Sequence, residues 1–292
     1  MEQAIGFECE GETLTGVLTL PERDCADVGV LVVVGGPQYR AGSHRQFVLL
    51  ARHLAAGGYP TLRFDIRGMG DSSGRQRGFE SIGDDIGAAI KALFGAQAHI
   101  RRVVLWGLCD GASATLIYCS QRPDLRIAGL CLANPWVRSE ITHARTQVKH
   151  YYRNRLREPA FWSKLLSGRV ALGAISGLWQ ALRRARHPAG IASVLSFQDR
   201  MRHGWVQTHV PKLLILSGED YTAKEFEEYV RLDSAWQAAV AGADVDRFDL
   251  PGADHTFSIT AHRQKIEAAT LCWLEQRLSG LASPARVDAE RD

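Results

Sequence analysis

The chain contains no apolar run of about 18 residues or more, so no stretch is long enough to cross a bilayer as a helix. Its opening, Met1-Glu2-Gln3, has neither the basic nor the apolar region of a secretory leader, and the expected compartment is the cytoplasm. Cysteine is sparse. The six residues, at 9, 25, 109, 119, 131 and 272, show no C-x-x-C pair and no metal-ligand spacing, so reduced thiols are predicted rather than a disulfide framework, with no metal and no cofactor. A net charge of +3 on 292 residues is too small to imply a nucleic-acid partner. Internal repeats and low-complexity stretches are absent. What remains is an ordinary globular composition, 46% hydrophobic, sufficient for one large domain with an insertion or for two small ones.

The most informative stretch is Val103-Val104-Leu105-Trp106-Gly107-Leu108-Cys109-Asp110-Gly111-Ala112-Ser113. A short β-rich run stops at Gly-x-Cys-x-Gly and small, helix-tolerant residues follow at once. This is the pattern of a strand, a sharp turn and a helix in which flanking glycines let a strained backbone lift one side chain above the end of a sheet. The side chain lifted is Cys109. A thiol ionises near 8.5, and a helix N-terminus or an imidazolium can draw out its thiolate, so it needs less activation than a hydroxyl. A free cysteine in such a turn can equally be a small buried hydrophobe.

Around this stretch, strand and helix signals alternate. Residues 3–19 predict an antiparallel hairpin at a sheet edge, turning near Glu10-Gly11-Glu12. Unbroken apolar runs at 28–34, 60–65, 103–108, 127–133 and 212–217, with a last strand at 245–250, predict buried parallel strands. Helices are expected at 46–56, 81–94, from about 110, at 223–241 and at 259–278. Between 136 and 210 no strand signal appears, and the spacing of Leu172, Ile175, Trp179 and Leu182 predicts helices. The expected organisation is an α/β core at 1–135 and 206–280, a helical cap at 136–205 and a frayed tail at 281–292. In such folds ligands sit beyond the carboxyl ends of the strands.

A base and an acid are therefore sought where strands end. Only His255, among ten histidines, lies in a short loop directly after a late strand, in Pro251-Gly252-Ala253-Asp254-His255-Thr256-Phe257. The strand at 127–133 ends in Asn134-Pro135 with no carboxylate, whereas that at 212–217 ends in Gly218-Glu219-Asp220. Asp220 is preferred, with Glu219 as its competitor and capping of the next helix as its structural role. The order Cys109, Asp220, His255 is the one this architecture uses. For the oxyanion, Gly35-Gly36-Pro37-Gln38 follows the first buried strand. Proline has no N–H, so the loop donor is Gly36 or Gln38, partnering the backbone N–H of Asp110. Asp65, Arg67, Gly68, Gly70 and Ser72 are expected to hold a loop in shape, and Ser113 to pack into its helix.

Gly-Leu-Cys-Asp-Gly, Asp-Ile-Arg-Gly-Met-Gly-Asp-Ser, Ser-Gly-Glu-Asp and Gly-Ala-Asp-His-Thr-Phe, in their spacing relation, resemble the α/β-hydrolase superfamily over nearly the whole chain. That resemblance implies an α/β-hydrolase fold, a mostly parallel eight-stranded sheet with helices on both faces and an inserted cap. More narrowly, Val-Gly-Gly-Pro-Gln-Tyr-Arg-Ala-Gly-Ser-His-Arg-Gln-Phe together with Gly-Leu-Cys-Asp-Gly is similar to the type 1 hydrolases associated with bacterial exosortase A systems, which implies a link to exopolysaccharide and protein sorting. Cysteine stands where serine is usual, as in dienelactone hydrolases, and the usual His-Gly of the oxyanion loop is missing. The cysteine favours esters, thioesters or lactones over amides. Acyl transfer by the same residues, or a binding module that has lost efficient chemistry, are the alternatives.

Charge is unevenly spread. Between 141 and 204 stand twelve Lys and Arg against Glu158 and Asp199, making that segment +10 and the remainder −7. Such asymmetry suits a small anionic acyl substrate. With Trp162 and Trp179 among the cations, it also suits peripheral contact with an anionic membrane. A solvated helix face accounts for the same charges.

Overall fold

The structure is a computed structural model and describes residues 1–22, 25–138 and 195–278. The expected cap helices around Leu172 and Trp179, ten of the twelve basic residues between 141 and 204, and the tail at 281–292 lie outside these residues.

The sheet has eight strands: β1 (Glu2–Cys9), β2 (Glu12–Thr19), β3 (Val28–Val33), β4 (Thr61–Phe64), β5 (Arg102–Leu108), β6 (Ile127–Ala133), β7 (Lys212–Ser217) and β8 (Val245–Leu250). Their order is β1-β2-β4-β3-β5-β6-β7-β8. β1 and β2 form the predicted edge hairpin, in register from Glu2 opposite Thr19 to Cys9 opposite Glu12. Both turn residues, Glu10 (φ 50°) and Gly11 (φ 82°), have positive φ, as a two-residue hairpin turn requires. β2 meets β4 antiparallel, and from β4 through to β8 every pairing is parallel. The apolar runs become strands because both faces are covered: every residue of β3, β4, β6 and β7 is buried.

Helices α1 (Gln46–Ala56), α2 (Gly83–Ala96) and α3 (Asp110–Gln121) alternate with the strands, followed by α4 (Phe197–Gln207), α5 (Tyr221–Leu232), α6 (Ser234–Val240) and α7 (Thr260–Leu278). The sequence predicts one helix at 223–241, yet two form. Asp233 ends α5 with an extended backbone and caps α6, accepting hydrogen bonds from the amides of Ala235 and Trp236 at 2.9 and 3.1 Å. α4 also departs from expectation. Contacts divide the chain into a main unit of residues 1–136 and 196–292 and a second unit of 137–195, so the core resumes at Ser196 rather than at 206. The reason is burial. Trp205 packs edge-on against Trp236 with ring centroids 5.7 Å apart, and its Nε1 donates to the Ala239 carbonyl at 2.9 Å. Gly204 lies so close to α3 that a Cβ there would overlap the Leu116 carbonyl oxygen.

Among the described residues no helix is long and apolar enough to cross a membrane, and no group of three or more His, Cys, Asp or Glu side chains could hold a metal ion.

Candidate active site

Cys109 stands between the last residue of β5 and the first of α3 with φ 59° and ψ −125°. A side chain in that region costs on the order of 1–3 kcal/mol, and it persists here because its surroundings over-determine it. The Cys109 amide donates to the Ala133 carbonyl at 2.9 Å, and its carbonyl accepts from the amides of Ala112, Ser113 and Trp136 at 3.1, 3.2 and 3.3 Å. The flanking glycines are a matter of space. A Cβ on Gly107 would stand 2.6 Å from the Ala112 nitrogen, and one on Gly111 would overlap the Val33 carbonyl. Ser113 is buried with its hydroxyl donated to the Trp136 carbonyl at 2.7 Å, consistent with packing inside the helix.

Two backbone links bring the acid and histidine loops together. Gly218 N–H donates to the Leu250 carbonyl at 3.0 Å and Glu219 N–H to the Ala253 carbonyl at 2.9 Å, so the turn after β7 lies along the turn after β8. Asp220 is buried at the N-cap of α5. One of its oxygens accepts from Thr222 N–H at 3.0 Å, and the other meets His255 Nδ1 at 2.8 Å. One carboxylate thus both caps α5 and contacts His255. Glu219, the competitor, is exposed and faces Lys224 at 3.9 Å.

The imidazole is also close enough to Cys109 for the thiol to act on its ionisation. The Asp220 carboxylate first, and Cys109 second, raise the His255 pKa from 6.5 to about 10. The neighbouring Asp254 shapes the loop. Against the upward push of burial, the Ser258 hydroxyl and the amides of Ser258 and Thr256 hold its carboxyl below the ordinary range, and the charge of His44 adds to them. His44 and Arg45 belong to a turn with positive φ at both residues, 53° and 60°.

The loop after β3 crosses the start of α3. Gly36 (φ 60°) and Asp110 meet there: the amides of Gly36, Asp110 and Gly111 face the Asp110 carboxylate. Gln38 is half-buried, and its side-chain carbonyl has no hydrogen-bond partner among the described residues. Pro37 between them contributes no donor.

Sequence reading passed over two side chains. Asn134 is fully buried with φ 44°; its amide donates to Ser217 Oγ and its carbonyl accepts from Ser217 N–H, both at 2.9 Å. It pins the end of β6, next to the elbow, to the end of β7, next to Asp220. The other is the Asp110 side chain itself. The Asp65 loop behaves as expected of a structural element. Asp65 is buried and accepts from the amides of Arg40 and Asp71 at 2.6 and 3.0 Å, Ser72 Oγ donates to the Asp65 carbonyl at 2.7 Å, and Arg67 pairs with Asp85 and Glu10.

No curated protein matches the chain. Solved structures do. The esterase Pf2001 of Pyrococcus furiosus shares 16% identity at a TM-score of 0.64, covering 95% of this chain and 93% of that one. The α/β hydrolase GrgF of a Penicillium species gives 16% and 0.63, with 96% and 99% covered. Est1E of Butyrivibrio proteoclasticus, solved with ferulic acid bound, gives 13% and 0.61, with 94% and 100% covered. These likenesses establish a shared fold. The sequence profile of one family matches residues 30–269, from the first buried parallel strand to the last helix, and on that match the chain belongs to the alpha/beta hydrolase family.

Proposed function

We propose that the protein is a cysteine-dependent hydrolase that cleaves an ester, thioester or lactone through an acyl-enzyme on Cys109. The observation that carries this reading is the His255 ring, set between the Asp220 carboxylate at 2.8 Å and the sulfur of a residue held in a strained elbow. The Cys109 thiolate attacks the acyl carbonyl and forms the C–S bond. His255 then gives its proton to the leaving oxygen or sulfur as the bond from the acyl carbon to it breaks, and afterwards takes one from a water that attacks the acyl carbon, so that the C–S bond breaks, the acid is released and the thiolate is regenerated. Asp220 orients the ring and stabilises its charged form. The Asp110 N–H is one oxyanion donor. The loop after β3 supplies the other, from Gly36 N–H or Gln38 N–H, since Pro37 has none.

The likeness to exosortase-associated hydrolases supports a cytoplasmic enzyme working beside exopolysaccharide or protein-sorting systems, and the basic segment at 141–204 supports an anionic acyl substrate drawn from a carrier or from a membrane surface. A panel of aryl esters, acyl thioesters and lactones, turned over by the wild type and by Cys109→Ala, tests the assignment. Loss of turnover in the variant on every responsive substrate is expected; full retention would sink the nucleophile. A non-catalytic binding module is the second reading, favoured by the loop that lacks His-Gly, and it predicts no turnover on any member of the panel.

A further inference from the structure

The carboxyl group of Asp110 has no assigned part in the reaction just described, yet it occupies a built position. It lies against Gly35 and Gly36, the turn that leaves β3. A Cβ on Gly35 would overlap Asp110 Oδ1 and the Gly111 nitrogen, and one on Gly36 would stand 3.5 Å from Oδ2. Gly111 approaches from the other side, its own Cα facing the Val33 carbonyl so closely that no side chain fits. Three glycines from two segments some 75 residues apart thus leave a space that the carboxyl group fills. Burial pushes this carboxyl above the usual range, while the amides of Gly36, Asp110 and Gly111 and the charge of His255 act in the opposite direction. An aspartate in the first turn of a helix is ordinarily satisfied by its own helix. Here it reaches out of α3 to a loop amide, and that loop is the one that must supply the second oxyanion donor.

We infer that the Asp110 side chain is a positioning residue for acyl transfer: by binding Gly36 it fixes the Gly35–Gln38 turn against the start of α3 and so sets the spacing of the oxyanion donors. This rests on the reading of Cys109 as nucleophile. The carboxylate touches neither the attacking sulfur nor the acyl group in this account; it acts through the loop. Removing it therefore leaves the thiol and its histidine in place, with only an indirect electrostatic effect on their reactivity, while weakening a step that builds negative charge on a carbonyl oxygen.

Two reagents separate those steps. Iodoacetamide alkylates Cys109 by displacement at a saturated carbon, with no oxyanion, whereas p-nitrophenyl acetate acylates it through a tetrahedral oxyanion. In Asp110→Ala, acylation is expected to slow at least tenfold while alkylation of Cys109 stays within twofold of the wild type. Asp110→Asn, which keeps one acceptor oxygen in the same shape, is expected to recover part of the loss. Equal loss of both rates would mark Asp110 as merely structural, and unchanged acylation would deny it any part. Faster acylation in Asp110→Asn would show the carboxylate obstructing the donors rather than arranging them. Each of these overturns the inference. If Cys109→Ala hydrolyses p-nitrophenyl acetate as fast as the wild type, the nucleophile assignment fails first and takes this role with it; the split between reagents fails independently of that control.

Discussion

Asp220 shows how much one carboxylate can fix. Its Oδ1 caps α5 through Thr222 N–H and its Oδ2 meets His255, so the group can rotate toward neither without losing the other. Asp220→Asn keeps a good N-cap residue, so near pH 10 and above, where the charge on His255 is lost, stability should change by less than about 1 kcal/mol. The same change removes the charge behind the histidine, and turnover should fall by roughly 100-fold or more. Thermal melts and steady-state kinetics on one responsive ester check both halves. His255 gives a pH signature of the opposite kind. Its pKa is raised from 6.5 to about 10 on folding, so the stabilisation from its charged form is complete below about pH 6.5 and is lost as pH rises through about 10. The melting temperature of the wild type should therefore decline between pH 7 and 10 more than that of His255→Gln; parallel profiles would contradict the shift. Cys109 and His255 were legible as candidates because each sits in a short local pattern, a glycine-flanked turn and a loop after a late strand. Asn134 and the Asp110 carboxyl were not, because their partners, Ser217 and Gly36, lie more than 70 residues away and no local spacing announces the contact.

At the level of elements, the parallel strands were the easiest to read, since burial on both faces imposes a continuous apolar run. Helix ends were harder. The apolar spacing from 223 to 241 runs on through Asp233, and only the capping bonds to Ala235 and Trp236 show that the chain breaks there. The start of the second core segment was misplaced for a related reason: α4 has a weakly apolar sequence, and its membership of the core rests on Met201, Trp205 and the bare backbone of Gly204 meeting α3. That contact makes a sharp prediction. Gly204→Ala must push α4 off the Leu116 carbonyl, and overpacking against backbone should cost about 1–3 kcal/mol despite the better helix propensity of alanine. Chemical denaturation would measure it. A variant as stable as the wild type would show that α4 is not held against α3 in the way described.

Across the whole molecule, the sheet order places the C-terminal ends of β3, β5, β7 and β8 along one edge, which is why residues as distant as Gly36, Cys109, Asp220 and His255 can serve one site. The charge of the inserted segment is a property of this scale too. Arg200 and Arg202 pair with Glu80 and Asp199, so they contribute little field, and any pull of this segment on an anion falls to its other ten basic residues, which lie outside the described ones. If they exert it, kcat/KM for an anionic acyl thioester should drop several-fold when ionic strength is raised from about 0.01 to 0.5 M, while a neutral aryl ester is unaffected. Identical salt dependence would assign the charges to a solvated surface. The central claim is nevertheless chemical, and trapping tests it most directly: intact-mass and peptide analysis of the protein quenched in acid during turnover of p-nitrophenyl acetate. The account predicts one acetyl group, on the peptide carrying Cys109, accumulating further in His255→Ala, where water is not activated. Turnover by the wild type with no acetyl on Cys109 at any time, or with the acetyl on another residue, would contradict it.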